Sequence, residues 1–145
     1  MILVSGSDSW QVNRVKIEVQ QEVRKAIEAI KADLVQGGSS TIVGVPADGN
    51  WYTTITFKVP SGVSGGTIVW PSDTTQFLLS GTDSNELRRT VGATTKTLAH
   101  FIETLQFRRL ASAPNIVEVN LKGEKATMRG KLISLNTSFK VKLRN

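Results

Sequence analysis

The stretch VNRVKIEVQQEVRKAIEAIKADLV, Val12–Val35, decides the architecture. Val12, Val15, Val19, Val23, Ile27, Ile30 and Leu34 recur at steps of three and four. On a helix that spacing gathers them into one apolar stripe. Ala26 and Ala29 widen it, and Arg14, Glu18, Glu22, Lys25, Glu28 and Lys31 fall on the other faces. Glu22–Lys25 and Glu28–Lys31 stand in the favourable i,i+3 order. Val15–Val19 alternates as a strand would, but the stripe is longer than that alternation and outweighs it. Gly37-Gly38-Ser39-Ser40 ends the helix and is expected to form a flexible joint. Ahead of the helix, Met1–Gly6 lacks the basic flank and apolar core of a signal peptide, and reads as a short first strand or arm.

Beyond the joint the periodicity changes to that of strands. Thr41–Val45 is one. Trp51–Val59 is stronger, because Trp51, Thr53, Ile55, Phe57 and Val59 alternate onto one face. Gly62, Gly65 and Gly66 mark a turn, after which Thr67–Trp70 returns as a hairpin partner. Thr75–Ser80 is a further strand, and Gly81–Asn85 a turn. A second helix is predicted over about Thr95–Arg109, capped by Thr94, with Leu98, Phe101, Ile102 and Leu105 inward and Arg108 and Arg109 at its end. Ala113-Pro114-Asn115 breaks the chain. A β-meander follows, with Val117, Val119 and Leu121 alternating, a turn at Lys122-Gly123-Glu124, and Phe139, Val141 and Leu143 alternating with lysines. The fold class is therefore α+β: an N-terminal arm and amphipathic helix over 1–38, then a β-rich, sandwich-like domain of antiparallel sheets over 39–145 with one inserted helix.

Composition narrows the function classes. The chain has 145 residues, 39% of them apolar and 21% charged, which suits one globular unit. It has no cysteine, so disulfides, thiolate zinc sites and cysteine nucleophiles are excluded; this fits synthesis in a reducing cytoplasm. No apolar run approaches the ~20 residues of a spanning helix, and no membrane role is expected. His100 is the single histidine, with no Gly-x-Ser-x-Gly elbow to build a triad around. The glycine run at 62–67 lacks the lysine of a Walker loop and is followed by a strand. No enzyme, cofactor or metal is expected.

Two features remain. The apolar stripe can pack on the chain's own sheet or on another subunit, and the joint after it favours a neighbour. The expected interface is thus Val12, Val15, Val19, Val23, Ile27, Ile30 and Leu34. The second feature is charge. The net charge is +6, yet the residues after Phe107 alone carry +7, in Arg108, Arg109, Lys122, Lys125, Arg129, Lys131, Lys140, Lys142 and Arg144 set against only Glu118 and Glu124, while the first 107 residues sum to −1. Such a surface discourages edge-to-edge aggregation, or meets phosphate or an acidic protein. A small nucleic-acid-binding protein is therefore the alternative reading.

Residues 66–145 also carry a resemblance. The strand Phe77-Leu78-Leu79-Ser80 leads to the turn Gly81-Thr82-Asp83. The Thr/Ala-rich entry of Thr90–Ile102 and the alternating strands Ile116–Leu121 and Phe139–Leu143 follow. This order resembles small structural proteins of tailed-bacteriophage virions, from neck, tail or baseplate or attached to the head. Arg88 and Arg89 depart from the small, polar character usual before the helix, and no functional residue is carried over. The resemblance implies a virion protein, made in the host cytoplasm, that joins copies of itself, as in a ring, and other virion proteins through sheet edges and an arm.

Overall fold

The stripe does form a helix, and the helix is longer than its stripe. The computed structural model describes residues 2–144, with side chains from Ser9 onward. Helix α1 spans Ile2–Leu34, about 50 Å at ~1.5 Å per residue. The backbone of residues 2–7 is helical, where the sequence suggested a strand or arm; Met1 lies outside the described residues. From Ser9 onward, Val15 is the first buried side chain of α1.

Nine antiparallel strands follow: β1 Ile55–Phe57, β2 Gly62–Ser64, β3 Thr67–Val69, β4 Thr75–Ser80, β5 Glu86–Val91, β6 Thr94–Ala99, β7 Ile102–Leu110, β8 Ala113–Ala126 and β9 Leu132–Lys142. They make a four-stranded sheet in the order β1-β4-β5-β6, a small β2-β3 hairpin, and a three-stranded sheet β7-β8-β9. Along β8 the odd-numbered residues Val117, Val119, Leu121 and Gly123 are buried, and α1 lies over that face. One core results. It joins Val19, Val23, Ile30 and Leu34 of α1 to Ile55, Phe57 and Phe77 of the larger sheet and to Leu105, Phe107 and Leu121 of the smaller one. Phe57 and Phe77 stack in its middle, with centroids 6.0 Å apart.

The predicted interface stripe is thus covered from within. Val15, Val19, Val23, Ile30 and Leu34 are buried against the chain's own strands, and Val12 and Ile27 are half-buried. The five buried ones are not free to meet a second subunit, whereas Val12 and Ile27 keep part of their surface. Nor is the joint after them loose. Gly37 and Gly38 are buried; Gly38 N–H donates to Lys58 O at 3.2 Å, and Arg144 N–H donates to Gly37 O at 2.8 Å. The ring of Phe57 lies 2.8 Å from where a Cβ on Gly37 would stand, and that of Trp70 lies 2.5 Å from one on Gly38. The glycines permit close packing rather than motion.

The second helix is absent: Thr95–Arg109 forms β6 and β7 instead. Its apparent helical spacing has a local cause. A bulge between Ile102 and Thr104 puts Ile102 and Leu105, three residues apart, on the same buried face. Thr94 caps nothing; it pairs with Val91 across the two-residue turn Gly92-Ala93, where Gly92 takes φ +60°. Arg108 and Arg109 consequently sit on a strand, not at a helix end.

Other boundaries move as well. Thr41–Val45 reduces to a 3-10 turn over Ser39–Thr41 and one bridge from Val43 to Thr56. Thr67–Val69 pairs with Gly62–Ser64, while Ile55–Phe57 takes β4 as its partner. β8 starts at Ala113, so Pro114 opens a strand instead of breaking the chain. Lys122-Gly123-Glu124 does not turn: β8 continues to Ala126, and the reversal comes at 127–131. Gly123 stays in mid-strand because α1 crosses there. A Cβ on it would stand 2.5 Å from Val23 Cγ2 and 3.0 Å from Val19 Cγ1.

Gly123→Val should therefore lift the helix off the sheet and lower the unfolding free energy by about 1–3 kcal/mol. Trimming the opposing residue in Gly123→Ala/Val23→Ala should cost less than the two single changes summed. Urea unfolding of the four proteins measures both.

Candidate functional site along the outer edge of strand β9

Strand β9 is one edge of the three-stranded sheet; the other, β7, is bridged at Phe107 to Tyr52. Its register with β8 is unbroken from Ile116↔Lys142 to Ala126↔Leu132. In an antiparallel ladder, successive residues turn their N–H and C=O alternately toward and away from the partner strand. The phase is fixed at the carboxyl end. Leu143 N–H donates to Asn115 O at 2.7 Å, inward; Arg144 N–H donates outward to Gly37 O, and Ser39 N–H donates to Arg144 O at 2.9 Å. Odd-numbered residues therefore bond to β8. Leu132, Ser134, Asn136, Ser138, Lys140 and Lys142 present their backbone groups outward, and no strand among the described residues pairs with that row.

The side chains divide in the same rhythm. The even-numbered ones are exposed, while Ile133, Leu135 and Phe139 lean toward α1 and pack on the core. Between α1 and this edge runs an open groove of about 580 Å³, with Val23, Ile27 and Leu135 as its apolar lining and Gln20, Arg24, Glu28 and Lys31 beside them. Leu132 to Phe139 carries no charge; Lys131, Lys140 and Lys142 flank it. Where α1 comes beside the β8–β9 turn, Trp10, Leu132 and Met128 are exposed, Met128 by 90%. Gln11 Nε2 reaches Met128 Sδ there at 3.8 Å.

The basic residues do not act as one surface. Arg108 Nε donates to Glu118 Oε2 at 2.6 Å, and Lys140 Nζ stands 3.5 Å from Glu118 Oε1. Arg108 also lies over the Trp51 ring, 4.4 Å from its centroid. Lys122 pairs with Glu124 at 3.2 Å, and Lys125 pairs with Glu18 of α1 while covering the Phe101 ring. Arg109 is structural: Nε donates to Val45 O and Nη1 to Pro114 O, each at 2.8 Å, and burial pushes its pKa down. Arg129 is exposed on the β8–β9 turn. Lys131, Lys142 and Arg144 are exposed and have no ion pair among the described residues.

Two carboxylates are held more acidic by these pairings. The Arg108 guanidinium, through its hydrogen bond, holds Glu118 below the usual glutamate range, against an opposing push from burial. Lys125 does the same for Glu18. At the far side, Asp48 is lowered by the hydrogen bond it accepts from Tyr52, whose own pKa is raised by that bond.

His100 sits exposed between β6 and β7. Its backbone N–H donates to Glu22 Oε1 at 2.8 Å, and Nδ1 is 3.7 Å from Glu86 Oε1, so it links the end of β6 to α1 and β5. No group of three or more His, Asp or Glu able to hold a metal occurs among the described residues. No helix among them is long and apolar enough to cross a membrane. Trp51 over Arg108 was not foreseeable from spacing, since the two residues come from distant segments. Strand order was also hidden, although the lysines flanking an uncharged stretch hinted at an edge. No family model matches the chain, and no curated protein or solved structure matches it either.

The lowered carboxylates set a pH dependence. Glu18 and Glu118 have folded pKa values below their unfolded ones, so their contribution is complete above about pH 4.3, the unfolded value, and is lost as pH falls through the folded values. The urea midpoint should drop on acidification from pH 5 to pH 3. Glu118→Gln should lower the midpoint at pH 7 and shrink that drop.

Proposed function

We propose that this chain is a non-enzymatic structural protein that works by assembly, as a virion component of the tailed-phage kind in the neck, tail or baseplate or attached to the head. Copies of it, made in the host cytoplasm, join one another and neighbouring virion proteins. The observation that carries assembly is the outer edge of β9. Six residues there hold outward N–H and C=O groups beside an apolar groove. Soluble proteins blunt such edges with bulges, prolines or inward charges. None of these interrupts Leu132–Phe139.

The phage assignment rests on the resemblance of residues 66–145. The strand β4, the turn at Gly81–Asn85 and the alternating strands β8 and β9 belong to that pattern. The Thr/Ala-rich segment contributes a hairpin rather than a helix. The reading as a nucleic-acid binder draws less support. Arg108, Lys122, Lys125 and Lys140 already face carboxylates. With about three cations of that carboxyl-terminal set in no ion pair among the described residues, the log–log salt slope that this surface gives for duplex DNA would not exceed roughly −2.7.

Size-exclusion chromatography with light scattering across a dilution series tests the proposal. The expected mass is a multiple of the 15.8 kDa chain. Ser138→Pro removes one outward N–H and leaves the β8 ladder intact, a change edge strands tolerate. It should shift the protein toward monomer by at least about tenfold in dissociation constant, the scale of a lost edge contact. A wild-type monomer at every concentration would remove self-assembly.

A further inference from the structure

The geometry points to a two-fold symmetric pair in which β9 of one copy adds antiparallel to β9 of a second, with Asn136 on the axis. This inference rests on the assembly reading above and names its first partner. Parity comes first. Only even-numbered residues of β9 face outward, so an isologous pairing must set even against even. With Asn136 on the axis, Ser134 faces Ser138 of the second copy, and Leu132 faces Lys140. On the helix side, Ile133 then meets Phe139, and Leu135 meets Thr137. Both sets extend the packing each edge already has with its own core. On the other face, the methylenes of Lys140 cover Leu132, which is 63% exposed in the single chain, while the ammonium reaches water. Lys131 and Lys142 fall opposite Val141 and Gly130, so no two lysines stand directly across from each other.

The helix supplies an independent observation. α1 runs beside β9 in the same sense: Gln11 touches Met128 near the start of the strand, and Lys31 lies over the Phe139 ring toward its end. The part of α1 abreast of Leu135–Thr137 is Gln20–Lys31. A dyad through Asn136 therefore sets the two helices antiparallel, crossing near Ala26. Arg24 and Glu28 lie two residues either side of that point. Arg24 of one copy then faces Glu28 of the other, twice over. In the single chain both side chains are exposed, and neither has an ion pair among the described residues. Added strands stand ~4.8 Å apart, which leaves the helices roughly 10–14 Å apart, within reach of an Arg–Glu pair. A generic extended peptide would use the edge but has no reason to match Arg24 and Glu28.

Charge reversal on the full chain tests the pairing. Arg24→Glu and Glu28→Arg should each weaken self-association at least about tenfold, since each sets like charges together at two symmetric places. The double change R24E/E28R should return the dissociation constant to within about threefold of wild type, because the pairs re-form reversed. In the cysteine-free chain, Asn136→Cys should give an intermolecular disulfide under mild oxidation, its Cα atoms being about 5.5 Å apart in such a pair. Ser134→Cys should not. Single reversals without effect, a double change as weak as the two losses combined, or cross-linking at Ser134 in place of Asn136 would each overturn the arrangement. If the protein self-associates while giving those results, assembly stands and this interface falls; a strict monomer removes both.

Discussion

The burial of one face of α1 on β8 and β9 is the contact on which the rest of the molecule depends. The three-stranded sheet offers a row of Val117, Val119 and Leu121, and the helix answers with Val15, Val19, Val23, Ile30 and Leu34. Each such side chain, fully removed from water, is worth about 1.5–3 kcal/mol. The approach is close because β8 carries no side chain at Gly123, where Val19 and Val23 pass overhead. From that crossing the other contacts follow. Glu22 reaches the backbone of His100 and Glu18 reaches Lys125, so the polar flank of the helix ties down the turn between β6 and β7 and the end of β8. The larger sheet closes the core from the other side through Phe57, Phe77 and Leu87.

The same packing decides what the surface has left to offer. The buried part of the stripe cannot serve a neighbour, and about half of the basic residues of the carboxyl-terminal third are committed to carboxylates beside them. What stays open is backbone. β9 has α1 on one face, β8 on one side and solvent on the other, and its side chains there are small or amide-bearing through the middle. Recognition through main-chain hydrogen bonds asks for few particular side chains and much shape.

How much of this was legible in the sequence depended on the range of the interactions. The period of the stripe, the alternation of Val117, Val119 and Leu121, and the glycine-rich turn at 65–66 are local patterns, and each gave its element. The segment Thr95–Arg109 misled because a bulge after Ile102 reproduced a helical interval inside a strand. Gly123 misled in the opposite sense: a glycine between charged residues looks like a turn, yet here it is a seat for a helix 100 residues earlier in the chain. The stripe itself was legible, but not what covers it, since the sequence pattern of an amphipathic helix is the same for either cover. The free edge of β9 is a property of strand order, set by long-range pairing that single-sequence patterns do not encode.

The bridge between Gly38 and Arg144 gives the molecule a doorstop. It fills the last place on the outer side of β9, so an incoming ribbon cannot slide past that point toward the carboxyl end. Slippage, the usual hazard of pairing through backbone alone, is thereby blocked in one direction. Because the stop is made by the loop that follows α1, the same peptide that anchors the helix would also set where an added strand halts.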